Sequence, residues 1–201
     1  MISKVSPLYA GRSAVRAAYV AAARAVIEAE GREALTARRL GRETRLAPAS
    51  LYTYFGGLDD LLDAVRDSYA ADLVRALTPP ARPVPQTVDE LAGLLAAYAD
   101  HLLARPHVFA LLFPGRPVRV PEPKTTPTGF ESLWADSFAA LVASGLVDPA
   151  DVADLATTLI YAVHGRILLT LTYPDAPRPA SVHDDLQRIA ARLIPAAGGP
   201  A

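Results

Sequence analysis

The segment 48–55, Pro-Ala-Ser-Leu-Tyr-Thr-Tyr-Phe, is rich in small and hydroxylic side chains that can exchange hydrogen bonds with a partner. Read as one short helix, it places Ala49, Ser50, Tyr52 and Thr53 on one side. Leu51 and Phe55 stand four apart on the other side and anchor the helix to a core. A short helix with a dry back and a small, hydroxylic front fits the major groove of duplex DNA. Tyr52 can donate a hydrogen bond there, Ser50 and Thr53 can donate or accept, and Pro48 and Ala49 offer apolar contact to thymine methyls. The segment has no Arg, Asn or Gln, so it cannot itself make the bidentate contacts that read guanine or adenine.

Such a helix works only if its neighbours hold it. Residues 36–62 read as a short helix, a tight turn, the helix just described, a glycine break and the start of a long helix. Thr36 is a suitable N-cap for the first of these. A longer helix precedes them, from Ser13 to about Glu30, with Val15, Tyr19, Ala22 and Val26 at helical spacing and Gly31 after its end. The long helix after Gly57 repeats Leu58, Leu61, Leu62, Val65 and Tyr69 on one face and runs to about Leu77. Its first turns carry Asp59, Asp60 and Asp63, where the macrodipole favours acids.

Taken together, these signatures resemble the DNA-binding domain of the tetracycline-repressor (TetR) family over about the first third of the chain. Leu40-Gly41 with Leu46 sits where the family has its first short helix and turn. Leu51-Tyr52-Thr53-Tyr54-Phe55 matches its Leu-Tyr-x-His/Tyr-Phe run, and Gly56-Gly57 followed by Asp59-Asp60-Leu61-Leu62 matches the start of its fourth helix. The resemblance implies an operator-binding head in which Arg38 reads a guanine and Tyr52 and Tyr54 contact phosphates. Three positions depart from the family pattern. Arg45 stands at the turn position usually held by glycine, where positive φ costs a non-glycine residue about 1 kcal/mol. Ala47 replaces the usual Ser/Thr cap, a loss of about 1 kcal/mol that Pro48 at the first helical position partly offsets. Leu58 replaces a lysine that would anchor a phosphate, and Arg45 supplies a substitute charge at the turn.

Charge is divided along the chain in the same sense. Residues 1–57 hold nine Lys/Arg and four Asp/Glu, while 58–201 hold eleven and seventeen, so a head of +5 precedes a body of −6 within an overall charge of −1. A basic end on an acidic body fits a protein that presents that end to phosphates. The 201 residues are 51% apolar, enough for a substantial core without covalent staples. The absence of cysteine excludes disulfides and thiolate metal sites. Arg16 and Arg24 interrupt the first helix, so it is not a signal peptide, and the expected location is the cytoplasm.

The rest of the chain also reads as helical, giving an all-α fold with three parts: a head over 1–57, a connecting helix over 58–78, and a ligand-binding and dimerisation domain over 79–201. Prolines from Pro79 to Pro85 mark a stiff connector, and five prolines from Pro114 to Pro127 mark an irregular loop. Helices are expected from about Thr87 to Pro106, His107 to Phe113, Phe130 to Ser144, Pro149 to Tyr173 and Val182 to Ile194. In the last of these Leu186, Ile189 and Leu193 form the inward stripe. Between Leu155 and Tyr173 Arg166 is the only formal charge, and the segment is apolar almost all round. Its length suits a membrane span, but His164, Gly165 and Arg166 at its centre argue against one. A helix apolar on all sides needs cover on all sides, and a second copy of the chain is the natural cover. The resemblance implies the same homodimer, through the last two long helices. Tyr161-Ala162-Val163-His164-Gly165 further resembles the Trp-His-Gly signature of one TetR subgroup, with Val163 in place of tryptophan.

The body contains Tyr98, Phe109, Phe113, Trp134, Phe138 and Tyr161, with His164 placed to lie among them. Together with the resemblance, these residues are the candidates for a largely apolar effector pocket with a few polar tips. His101, His107 and Asp100 straddle Pro106 without a third ligand at helical spacing, so they do not make a metal site. No phosphate loop, nucleophile elbow or zinc-protease motif occurs, so neither a cofactor nor an enzymatic activity is expected. The sequence thus predicts a homodimeric, ligand-responsive repressor acting on a palindromic operator. The alternative is a helical small-molecule-binding or catalytic protein with a vestigial head. Joint exposure of Arg38, Tyr52 and Tyr54 would favour the first.

Overall fold

The computed structural model describes residues 11–78, 84–113, 129–176 and 181–194, with backbone alone at 129 and 130. Nine α-helices occur among them and no strand: α1 Arg12–Glu30, α2 Ala37–Thr44, α3 Leu51–Tyr54, α4 Leu58–Leu77, α5 Val88–Leu103, α6 Pro106–Leu112, α7 Gly129–Ala143, α8 Val152–Thr172 and α9 Val182–Leu193. The all-α expectation holds. The proline-rich stretches at 79–83 and 114–128 and the tail from Ala196 lie outside the described residues.

The chain divides into two compact units. The first ends at Ala70 and takes in the segment that begins at His107; the second runs from Ala71 to Pro106 and takes in the C-terminal helices. In the first unit the core is built on α1, whose Val15, Tyr19, Ala23, Val26 and Ile27 are buried. Leu40, Leu51, Phe55, Leu61, Leu62, Val65 and Tyr69 close on that stripe, and Val108 and Leu111 of α6 join the same cluster. Gly31 ends α1 at φ 82°, in the left-handed region that glycine tolerates. A β-carbon there would also come within 3.2 Å of the His107 ring.

In the second unit α5 is the central helix. Leu91, Leu94, Leu95, Tyr98, Ala99 and Leu102 are all buried, and α8 and α9 pack beside it. Its start is fixed by a capping box in which Glu90 N–H donates to Thr87 Oγ1 and the Glu90 carboxylate accepts from Thr87 N–H. Arg166, the lone charge of α8 after Asp154, donates from Nε to Asp185 Oδ2 of α9 at 2.6 Å, and Arg188 reaches the same carboxylate at 2.8 Å. A charge on an otherwise apolar stretch of helix is therefore paired where it is buried. On α9 the inward stripe is Leu186, Ala190 and Ile194, whereas Leu193 is 38% exposed. The expected stripe set Leu193 seven residues from Leu186 and four from Ile189; the buried register is instead 186, 190, 194.

Candidate nucleic-acid interface

The head is positioned by α2 and the turn after it. Arg39 N–H donates to Thr36 Oγ1 at 3.1 Å, which is the expected cap at the start of α2. At its other end Arg45 adopts φ 61°, ψ 28°, the single non-glycine residue with positive φ among the described residues. Gly41 allows the chain to fold back so tightly that a β-carbon on it would lie 2.9 Å from the Leu46 carbonyl oxygen. The turn then enters a 3-10 segment, Pro48–Ser50, which runs directly into α3. Ala47 supplies no side-chain cap, and Pro48 occupies the first helical position. The recognition segment thus spans the expected residues, but only Leu51–Tyr54 has α-helical geometry.

Its back is dry. Leu51 is fully buried and Phe55 is 2% exposed, set edge-on to Tyr19 at 6.0 Å between ring centroids. Its front faces solvent: Tyr52 is 63% exposed, Pro48, Ala49 and Thr53 are exposed, and Ser50 is half-buried. Tyr54 is half-buried, with its ring 6.0 Å from that of Tyr19 and the Arg12 guanidinium 5.8 Å from its centroid.

The basic residues around this front differ in how they are held. Arg38 is exposed, and no ion pair or hydrogen bond engages its side chain among the described residues. Arg39 is committed to the fold, 2.8 Å from Glu30 and 2.7 Å from Glu43. Hydrogen bonding to Arg39 holds the Glu30 carboxyl below its ordinary pKa, and the two carboxylates push the Arg39 guanidinium up. Arg45 projects from the turn into solvent. Leu58, where a lysine would offer an anchor, instead packs against the head core. Beside it Asp60 accepts from Gly56 N–H at 2.9 Å, and Asp59 lies 4.0 Å from Arg32.

Two contacts were not anticipated. Arg12 donates to the Thr53 carbonyl at 3.1 Å, and Arg16 donates to the Tyr54 carbonyl while its guanidinium lies 4.1 Å from the Phe55 ring centroid. Both groups sit at the C-terminal end of α3, where carbonyls lack helical partners and the macrodipole is negative. The partners are 41 and 38 residues apart in sequence. The one local sign was the four-residue spacing of Arg12 and Arg16, which puts them on one face of α1.

In the second unit three of the aromatic candidates come together. Tyr98 Oη and His164 Nε2 are 2.5 Å apart, and the Trp134 ring meets that of Tyr98 edge-on at 5.9 Å. Burial pushes the Tyr98 hydroxyl up and the His164 imidazole down. Phe138 is buried one turn along α7 from Trp134. Tyr161 is 72% exposed on α8. The rings of Phe109 and Phe113 lie 5.4 Å apart, tilted by 42°, and belong to the first unit. Among the described residues no group of three or more His, Asp or Glu is placed to hold a metal ion.

A helix-turn-helix packed on the buried stripe of α1, with only helices among the described residues, defines a class that known proteins share. Residues 20–65 match the family described as bacterial regulatory proteins, tetR family. A protein of unknown function from Rhodococcus sp. RHA1 shares the fold at a TM-score of 0.65 and 21% identity, over 94% of this chain and 97% of that one. BioQ, solved with its double-stranded DNA operator, gives 0.64 and 24% identity over 89% and 97%. The regulator FadR from Bacillus subtilis, solved with stearoyl-CoA, gives 0.59 and 9% identity over 89% and 97%. No curated protein matches the chain by sequence. The chain thus shares the fold of solved TetR-family regulators, and its residues 20–65 match the N-terminal domain of that family.

Proposed function

We propose that the protein is a cytoplasmic homodimeric repressor that binds a palindromic operator and releases it when a small, largely apolar effector binds the second unit. The observation that carries the DNA-binding part is the front of the head. Tyr52, Thr53, Ala49 and Pro48 are exposed on a segment whose Leu51 and Phe55 are buried, and Arg38 stands exposed beside it. Arg38 and the α3 front read bases, while Tyr54 and Arg45 meet phosphates. Tyr54 does so with its hydroxyl end, since its ring is held against Tyr19. A vestigial head, the rival reading, has no reason to leave Tyr52 63% exposed on a core-anchored segment. A mobility-shift titration with DNA from upstream of the gene tests this. Retarded, competitor-resistant complexes are expected; equal affinity for any duplex would leave the rival standing.

The homodimer is supported by α8. It is long and apolar enough to cross a membrane, with a mean hydropathy of 1.3. Yet Thr158, Tyr161, Leu168 and Thr172 on it are exposed, with Gly165 between them at the alternating three- and four-residue spacing of a helix-packing seam. A β-carbon on Gly165 would meet nothing within 4 Å, which leaves room for a second helix to approach. BioQ was solved with operator DNA and FadR with stearoyl-CoA, which supports a duplex partner and an apolar effector for this fold. In the effector site Tyr98, His164 and Trp134 supply the polar tip and the aromatic wall, with Phe138 behind them. The Trp-His-Gly subgroup assignment rests on the sequence run ending in His164-Gly165, and in it Val163 is a fully buried core residue.

A further inference from the structure

The recognition segment is weak by its own resources. It has four α-helical residues, no side-chain N-cap and an exposed front. One turn of helix is far below the length at which a helix is stable alone. Its last carbonyls fall beyond any helical donor. We propose that Arg12 and Arg16 are positioning residues for base readout, because they bind the Thr53 and Tyr54 carbonyls and so tie the C-terminal end of α3 to α1. Arg16 does this with a planar group that also stacks on Phe55, the residue that ends the segment. Two positive groups at the negative end of α3 compensate for the cap that Ala47 fails to provide at the other end. The orientation of Tyr52 and Thr53 toward the groove is then set by α1, a rigid 19-residue helix with five buried side chains, rather than by α3 itself. Sequence discrimination depends on these two arginines although they touch no base. Geometry matters as well as charge, since a lysine at position 16 keeps the positive charge but has no planar fork to serve a carbonyl and a ring at once.

The proposal rests on the reading of the head as a DNA-binding surface, and the test separates the two. The full-length protein would be used to select a duplex from a random library. Binding to that duplex and to its single-base variants would then be measured across a salt series for wild type, Arg16→Lys, Arg16→Gln, Arg12→Gln and Arg24→Lys. Arg24 is the control: it also lies over a head aromatic, Tyr69, and bonds Ser68, both of them on α4. Arg16→Lys and the two glutamine variants should narrow the gap between the selected duplex and its variants by roughly tenfold, the worth of one good base contact. Their salt dependence should keep the wild-type slope, and Arg24→Lys should keep the wild-type discrimination. Arg16→Lys guards against a glutamine variant that fails to fold, as judged by its thermal melt. The proposal is overturned if discrimination is unchanged while the melt falls, since the arginines then serve stability alone. It is also overturned if all duplexes weaken equally and the slope drops by about one charge per half-site, because the arginines then contact phosphates directly. Failure of the wild type to select any sequence would instead overturn the DNA-binding reading and this proposal with it.

Discussion

Arg45 carries the turn of the head in a conformation that glycine adopts without cost. Arg45→Gly should therefore raise unfolding stability by about 1 kcal/mol, read from the denaturant midpoint at constant slope. The same change should lower operator affinity, because it removes a cation at the turn, and should flatten the salt dependence by about one charge per half-site. Gly41→Ala belongs to the same turn and acts in the opposite sense. Its methyl would press on the Leu46 carbonyl, and a loss of about 1–3 kcal/mol is expected. Arg38→Ala should relax preference at one base pair per half-site, at a cost of about 1–3 kcal/mol there, measured with single-base operator variants. His164 sets a pH dependence. Burial lowers its folded pKa below the ordinary 6.5, so the folded protein binds fewer protons than the unfolded chain in that range. Stability is then fully present above about pH 6.5 and falls as pH drops through the folded pKa; His164→Gln should flatten that part of the melting-temperature profile. At this scale the sequence was legible wherever the physics is local. The Thr36 cap and the left-handed Arg45 depend on their immediate neighbours, and both were readable. The bond from Arg16 to the Tyr54 carbonyl depends on how α1 lies against α3, which no spacing along the chain encodes.

Elements were readable for the same reason. The limits of α4 at Leu58 and Leu77 coincide with a glycine pair before it and a proline pair after it. The helix expected from Pro149 begins instead at Val152, because Pro149 introduces a turn. The recognition segment was read as one helix, but its first turn is 3-10, because Ala47 offers no side chain to cap an α-helical start. Phe109 and Phe113 were read by composition as part of an aromatic body. Val108 and Leu111, their neighbours on α6, are instead part of the head core, a pairing across some fifty residues that composition does not carry. The exposed seam of α8 makes a prediction of its own. Leu168→Glu would place a charge in the proposed dimer contact, and the variant should sediment as a monomer at micromolar concentration while its helical content stays that of the wild type. An unchanged dimer would mean that α8 is not the contact. Because a monomer offers one head, operator affinity should fall far more than a single lost contact accounts for.

The function proposed for the whole molecule joins two tasks. α4 contributes residues to both units, from Leu58 in the first to Leu77 in the second, and is the chain segment by which the proposed response would pass between them. An effector that lowers operator affinity about 150-fold must supply roughly 3 kcal/mol of coupling, and operator DNA must weaken effector binding by the same factor. Trp134→Ala should blunt the response to effector while leaving the operator affinity of the ligand-free protein near that of the wild type; an intact response would place the effector elsewhere. In the proposed assembly two heads on one dimer read a two-fold site, and footprinting is the decisive measurement. On a duplex selected by the full-length protein, the protected region should hold near-palindromic half-sites whose centres lie about one helical turn, or a small multiple of it, apart. Protection of one asymmetric half-site by a single copy of the chain, or no sequence-specific protection at all, would contradict it.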